Sequence, residues 1–392
     1  MDRIKIHNFG PVKDVDIELS KLMVFIGPQG SGKSTIAKVL TIFSDVFWWI
    51  TICDAKDPML EFKKMGIAKY FNADTRIDYY GRYDVHIVYS EGKFSISVED
   101  FSEKDTIDFC KYLIGTSTKE RLEELGYNID NLSKDMPKET HRRFLRANLR
   151  FACYVPAERN IAGIISSSLA NIILSKTPLP NILMEYLSLF ERAKNHYSTY
   201  DAPFLGIHYD KDKGKDCISV LENEEKYLPL EECSSGIQSA LPMLMVTDYA
   251  AEDKCFDTFV VEEPEQNLFP INQRGILNRL IALTQRNDCR SVVINTHSPY
   301  LLSALNVSML AAKISNMNGN DGTIDEIVPP QFQINNTDVS VFSLGDDVYC
   351  KSIIDEKTGL ISVNYLDVVS EAISSDFNRL YQIYLNCFRN GN

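Results

Sequence analysis

Hydrophobic and polar residues alternate at the start of the chain. Ile4 and Ile6, and then Val15, Ile17 and Leu19, take every second position on either side of Gly10-Pro11, which predicts two half-buried strands joined by a turn. The run Leu22-Met23-Val24-Phe25-Ile26 is apolar throughout and predicts a strand covered on both faces. The period then changes, because Ile36, Val39, Leu40 and Phe43 recur at helical spacing. Alternation returns from Tyr83 to Val98 around Ser90-Glu91-Gly92-Lys93, a hairpin, and a second hairpin is expected from Phe204 to Leu230 with its turn at Lys211–Lys215. Between them, Ser102 to about Tyr200 reads as mostly helical, broken at Tyr154–Arg159 and at Pro178 and Pro180. Phe256–Val261 and Ser291–Ile294 read as further buried strands. Ile237, Leu241, Leu244 and Met245 predict a helix in which Pro242 forces either a late start or a bend. Residues 306–335, rich in Asn and Gly, read as a mobile connection. Beyond them a strand pair, Val339–Leu344 with Gly359–Val363, and a closing helix from Asp367 to about Cys387 are expected.

Composition narrows the class only a little. With 392 residues, 44% hydrophobic and 24% charged, the chain is a globular protein with room for one large domain or several smaller ones. Its 41 Lys+Arg against 54 Asp+Glu give a net charge of −13, so nucleic acid or anionic lipid would need a local basic patch. Arg142, Arg146 and Arg150 form one such stripe at helical spacing, which suits DNA or RNA phosphates but equally a solvated face balanced by acids. Nine scattered cysteines without a C-x-x-C pair point to reduced thiols. No apolar leader opens the sequence and no run is long enough for a membrane span, so a cytoplasmic location and no membrane partner are expected. Trp48-Trp49 read as core or partner-facing residues before a base-stacking platform.

Chemistry enters where the buried strand ends. Gly27-Pro28-Gln29-Gly30-Ser31-Gly32-Lys33-Ser34-Thr35 fits G-x-x-x-x-G-K-[ST] between a strand and a helix, the setting of a P-loop. Gly27, Gly30, Ser31 and Gly32 let backbone N–H groups converge on phosphates. Lys33 is expected to bridge the β- and γ-phosphates, Ser34 to complete a Mg²⁺ shell and Thr35 to sit near the α-phosphate of ATP. Downstream, the strand Phe256–Val261 should lie beside the P-loop strand and deliver Glu262 to the metal shell and Glu263 as catalytic base. A second strand delivers His297, followed by the helix-start pair Ser298-Pro299, to the same edge, where a γ-phosphate contact is expected. Ser234-Ser235-Gly236 opens a helix and is either a plain N-cap or a half-site completed on another copy.

The ordered set of motifs resembles the ABC-type ATPases of the RecF, SMC and OLD group. It is most similar to compact bacterial AAA family ATPases of the anti-phage defence type, such as Septu or PARIS ATPase subunits, with E-E-P-E where others have D-E-P. The matching segments are Ile4–Gly10, Gly27–Thr35, Tyr154–Arg159, Ser234–Gln238, Glu262–Glu265 with Leu268-Phe269-Pro270, and Asn295–Leu302. The resemblance implies an α/β fold, an ABC-type ATPase head made of a P-loop sheet plus an antiparallel β-subdomain, with a helical insertion. It implies ATP and Mg²⁺ as cofactors and a homodimer or higher homo-oligomer. Ser235, Gly236 and Gln238 would then reach the partner's nucleotide, His297 would be the switch histidine, and Glu158 or Arg159 would sense the γ-phosphate from the lid loop. Gly10 stands where many relatives carry an arginine near the base. SMC-type relatives fill the interval between Lys33 and Glu263 with coiled coils, yet no sustained heptads occur in its 230 positions.

The expected organisation is an N-terminal lobe over 1–100, a helical insertion over 101–200 containing the lid segment 154–159, a signature and carboxylate lobe over 201–305, and a small C-terminal α/β unit over 306–392. No cluster of paired carboxylates suggests an appended nuclease. The expected function is therefore a slow, dimerising ATPase that controls a separate effector, a nuclease in anti-phage defence. A RecF-like DNA-repair clamp is the alternative, with a transporter subunit and ATP binding without turnover behind it.

Overall fold

The computed structural model describes residues 2–45, 48–49, 52, 57–81, 84–99, 151–165, 179–211, 216–220, 223–253, 256–318, 322–345, 348–362 and 373–383. The strands, in chain order, are β1 (Arg3–Phe9), β2 (Val12–Glu18), β3 (Leu22–Ile26), β4 (Arg76–Tyr80), β5 (Val85–Ser90), β6 (Lys93–Val98) and β7 (Phe151–Val155). They continue with β8 (Thr199–Ala202), β9 (Ile207–Asp210), β10 (Cys217–Val220), β11 (Asn223–Pro229), β12 (Phe256–Glu262), β13 (Ser291–Asn295), β14 (Val339–Leu344) and β15 (Cys350–Ser352).

The strands form three sheets. A six-stranded sheet has the order β15-β14-β3-β13-β12-β7, and all its neighbours run parallel except β14 with β15. A five-stranded antiparallel sheet, β2-β1-β4-β5-β6, contains both N-terminal strands and the hairpin turning at Glu91-Gly92. A four-stranded antiparallel sheet, β11-β10-β9-β8, holds the second expected hairpin within a longer meander.

The parallel sheet divides the core in two, because side chains alternate across a strand. Leu22, Val24 and Ile26 of β3 face a cluster with Val261, Val292, Leu187, Leu244, Leu277 and Leu305. Met23 and Phe25 face the opposite cluster with Ile36, Leu40, Phe43, Trp48, Ile77 and Tyr79. The first cluster packs helices Asn181–His196, Ser235–Glu252, Pro270–Thr284 and Pro299–Asn318 on one face; the second clamps helix Lys33–Ser44 between the parallel and N-terminal sheets. Trp48 and Trp49 are buried in it, as their composition suggested. All these parallel strands end at one edge, and that edge carries the site.

Several expectations change. β13 separates β12 from β3, so the carboxylate strand is not beside the P-loop strand. The stretch expected to be a mobile connection is helical up to Asn318, because Leu301, Leu302, Leu305 and Met309 bury one face. Val339–Leu344 is not part of a separate C-terminal unit. It lies in the main sheet, parallel to β3, and its hairpin partner is Cys350–Ser352, while of the expected second strand Gly359–Val363 the described residues 359–362 form no strand and contribute the bridge Ile354↔Ile361. Helix Ser235–Glu252 starts before Pro242 and continues past it, so the late start is not taken. Most of the expected helical insertion, including Arg142, Arg146 and Arg150, lies outside the described residues; of the closing helix, 373–383 is described as helical and exposed.

Candidate nucleotide site

The P-loop leaves β3 and turns into helix Lys33–Ser44, with φ of +145° at Gly27, +78° at Gly30 and +96° at Gly32. Two of these glycines are needed for space as well as for dihedral freedom. A Cβ on Gly27 would lie 2.4 Å from the Leu344 carbonyl oxygen, and one on Gly32 would lie 2.7 Å from the Tyr349 hydroxyl. The single Tyr349 O–H donates to the Ser31 carbonyl at 2.5 Å, with the Pro11 carbonyl a second acceptor at 3.1 Å, so the C-terminal hairpin buttresses the loop from behind. Lys33 is 6% exposed, and its Nζ donates to the carbonyls of Gly27 and Pro28, both at 2.9 Å. Burial holds the ammonium below its usual range, and the carboxylates of Glu263, Glu262 and Glu265 oppose that shift.

A cleft of about 340 Å³ opens over this loop. Residues Gln29 to Thr35 form its floor, Glu262, Glu263, Asn295 and His297 one wall, and Pro11, Tyr70, Ala157 and Glu158 the rim. The wall follows from the register, in which Glu262 pairs with Asn295 and Asn295 with Phe25, so the strand ends are level. Asn295 Nδ2 approaches Glu262 Oε1 at 3.4 Å. His297 Nε2 lies 3.9 Å from Glu263 Oε1. Burial first, and then the neighbouring Lys33, hold the imidazole below its ordinary pKa, against the opposing pull of Glu263, so it is neutral at physiological pH.

The donor set fits a nucleotide with a hard divalent cation. Ser34 is exposed and, with the largely buried Glu262, lines the cleft, an all-oxygen pair of the kind Mg²⁺ takes alongside phosphate and water. Gly30 leaves open space above the loop, where an added Cβ would meet no atom within 4 Å. Among the described residues no group of three or more His, Cys, Asp or Glu forms a self-sufficient metal cage.

The profile of the AAA ATPase domain matches residues 1–177 and 159–302. The chain belongs to that family. This ATPase is 23% identical over 337 residues to a protein named OLD nuclease from Thermus scotoductus, an overlap of 76% of this chain and 59% of the relative's length. Solved structures similar to it include an SMC head bound to the C-winged helix domain of ScpA, at 11% identity and a TM-score of 0.45 over 91% of this chain and 99% of that one. The SMC head domain from Thermotoga maritima is another, at 14% identity and a TM-score of 0.35 over 77% and 90%. No helix among the described residues is long and apolar enough to cross a membrane.

Arg159, expected to sense the γ-phosphate, stands away from this cleft, and two of the residues expected to reach a partner's nucleotide, Gln238 and Gly236, are engaged within their own chain. Arg159 is 0% exposed; its Nη1 donates to the Glu262 carbonyl at 2.6 Å and its Nη2 to the Glu263 carbonyl at 2.5 Å, which leaves Glu158 as the lid-loop side chain on the cleft. Gln238 is buried and spends its amide N–H groups on the carbonyls of Leu230 and Glu231, closing the turn before its own helix. Gly236 is buried against this chain's own loop, where a Cβ would lie 2.7 Å from the Asn267 carbonyl. Ser234 and Ser235, by contrast, are exposed and outside the cleft.

Other contributors were not singled out in the sequence. Glu265 Oε1 accepts from Thr296 Oγ1 at 2.7 Å and from the His297 N–H at 2.8 Å, tying the loop after β12 to the one after β13. It stands inside E-E-P-E, so its position was visible although its role was not. Tyr70 rests on Gly10, whose φ is +56° and whose added Cβ would fall 2.5 Å from the Tyr70 ring. Its half-exposed ring lines the cleft beside Pro11.

Proposed function

We propose that this ATPase works as a homodimer with two composite sites and that ATP–Mg²⁺ binding and hydrolysis switch a separate effector, a nuclease in anti-phage defence. The observation that carries this reading is the separation within one chain. Lys33, Ser34, Glu262, Glu263 and His297 meet around one cleft, while Ser235, exposed at its helix start, lies outside it and is available to another copy. Exposed apolar side chains beside the cleft loops support a self-interface: Phe269 is 78%, Ile271 75% and Tyr300 57% exposed. The likeness to a protein named OLD nuclease supports a nuclease link.

In this reading Gly30, Ser31 and Gly32 present backbone N–H groups to the phosphates. Lys33 exchanges the Gly27 and Pro28 carbonyls for phosphate oxygens. Ser34 and Glu262 would hold Mg²⁺, which when bound supplies charge neutralisation across the β- and γ-phosphates. Glu263 accepts the proton of the attacking water, and neutral His297, 3.9 Å away, donates to the γ-phosphate side of the cleft.

The test combines turnover with mass. Wild type should hydrolyse ATP, Lys33→Ala should not bind it, and Glu263→Gln should bind without turnover and double its mass by light scattering in ATP. A Glu263→Gln protein that stays monomeric in ATP overturns the composite site. Unchanged phage resistance in a Lys33→Ala strain, with no nuclease recovered alongside the native protein, overturns the defence role.

A further inference from the structure

Resting on the ATPase reading above, we propose that Arg159 is a positioning residue whose buried guanidinium grips the carbonyls of Glu262 and Glu263 and thereby sets the direction of both carboxylates. These carbonyls lie where the ladder runs out. Glu262 is the last residue of β12 and pairs with Asn295; the Glu263 N–H still donates to the Asn295 carbonyl at 2.8 Å, but its own carbonyl has left the sheet and accepts, besides Arg159, only the turn bond from the Gln266 N–H at 2.9 Å among the described residues. Arg159 reaches both, at 2.6 and 2.5 Å, and also the Pro156 carbonyl at 3.3 Å. A guanidinium presents coplanar N–H groups that can span successive carbonyls, whereas an ammonium is a point donor.

The backbone it grips is strained. Glu263 holds φ at +44°, a left-handed conformation that a non-glycine residue keeps only where its surroundings over-determine it. Without the fork, the Glu263 peptide can relax toward ordinary dihedrals, and its side chain swings away from His297. A fully buried cation is itself costly, and burial lowers the Arg159 pKa, but Glu265, Glu263 and Glu262 offset that cost at a distance. The hydrogen bonds it makes, all from Nη1 and Nη2, go to backbone oxygens, while its buried Nε–H has no partner among the described residues. Arg159 also sits on the turn Ala157–Asn160, which leads into helix Ile161–Ile165. There Gly163 approaches the Ser235–Glu252 helix so closely that a Cβ would fall 2.8 Å from Gln238 Cβ. One short segment therefore touches the helix that carries Ser235 and holds the catalytic carboxylates in place.

The experiment compares wild type and Arg159→Lys, full chain, in steady-state ATP hydrolysis and in equilibrium binding of a fluorescent ATP analogue. Lysine keeps the charge but cannot fork. The expected result is a kcat about 100-fold lower, the scale of a reacting group displaced by an ångström, with nucleotide affinity within about threefold of wild type. Equal kcat in the two proteins overturns the inference, and so does a loss confined to affinity, which would make Arg159 a nucleotide contact. If Arg159→Lys does not fold, Arg159→Ala purified and assayed with methylguanidinium replaces it: recovery of turnover supports the fork and no recovery overturns it. Absence of turnover in wild type would instead refute the ATPase reading of the site.

Discussion

Replacing Glu265 by alanine isolates the strut between the loops that follow β12 and β13. One oxygen accepts from the Thr296 hydroxyl at 2.7 Å and the His297 N–H at 2.8 Å, and the other is buried without a hydrogen-bond partner among the described residues. Leaving the buried Thr296 hydroxyl unsatisfied costs about 1–3 kcal/mol, and losing the exposed bond from the His297 N–H, which can turn to water, adds about 1 kcal/mol at most. The gain that alanine brings acts against this. Burial raises the Glu265 pKa, so the ionised carboxylate already carries a desolvation penalty that the substitution removes, and the net loss should be about 2 kcal/mol. Glu265→Gln keeps an acceptor oxygen and surrenders only the charge assistance, so it should lose about 1 kcal/mol. Urea unfolding of the full chain, followed by the fluorescence of buried Trp48 and Trp49, measures both. Alanine should also depress ATP turnover about 10- to 100-fold, more than glutamine does, because the His297 backbone loses its anchor. Equal stability of the two variants, or alanine within about 0.5 kcal/mol of wild type, would refute the strut.

Three further outcomes follow from local geometry. Tyr70→Ala should weaken ATP binding about tenfold with little change in kcat, since the ring lines the rim of the cleft away from the carboxylates; unchanged affinity by titration would remove it from the site. Gly27→Ala should lose nucleotide binding and about 2–4 kcal/mol of stability, because its Cβ would collide with the Leu344 carbonyl, whereas Gly30→Ala meets no atom and should cost only about 1–2 kcal/mol for its left-handed backbone; equal costs in denaturant titration would contradict the contrast. His297 is held below its ordinary value of 6.5, so the unfolded chain takes the proton first; its contribution to stability is complete above pH 6.5 and is lost as pH falls below it. The stability difference between wild type and His297→Gln should therefore shrink from pH 6.5 downward, and a pH-independent difference would exclude the shift.

Local pattern determined a good deal of this protein. A glycine-rich nine-residue loop can only follow an apolar strand and open a helix in one way, so the floor of the cleft was legible in the order of residues 22–43. Period-two alternation likewise marked β1, β2, β5 and β6, because a strand with one buried face leaves that trace whatever its partners are. The order of neighbours was decided only by tertiary structure. Nothing in Val339–Leu344 says that it slots beside β3, or that Leu344 and Tyr349 brace the P-loop, since pairing is chosen by contacts between residues more than three hundred positions apart. The same reason explains Arg159 and Gln238. A sequence motif shows that a polar side chain stands near a strand end or a helix start, but whether it points at a ligand or at backbone carbonyls depends on which carbonyl oxygens the fold places within its reach.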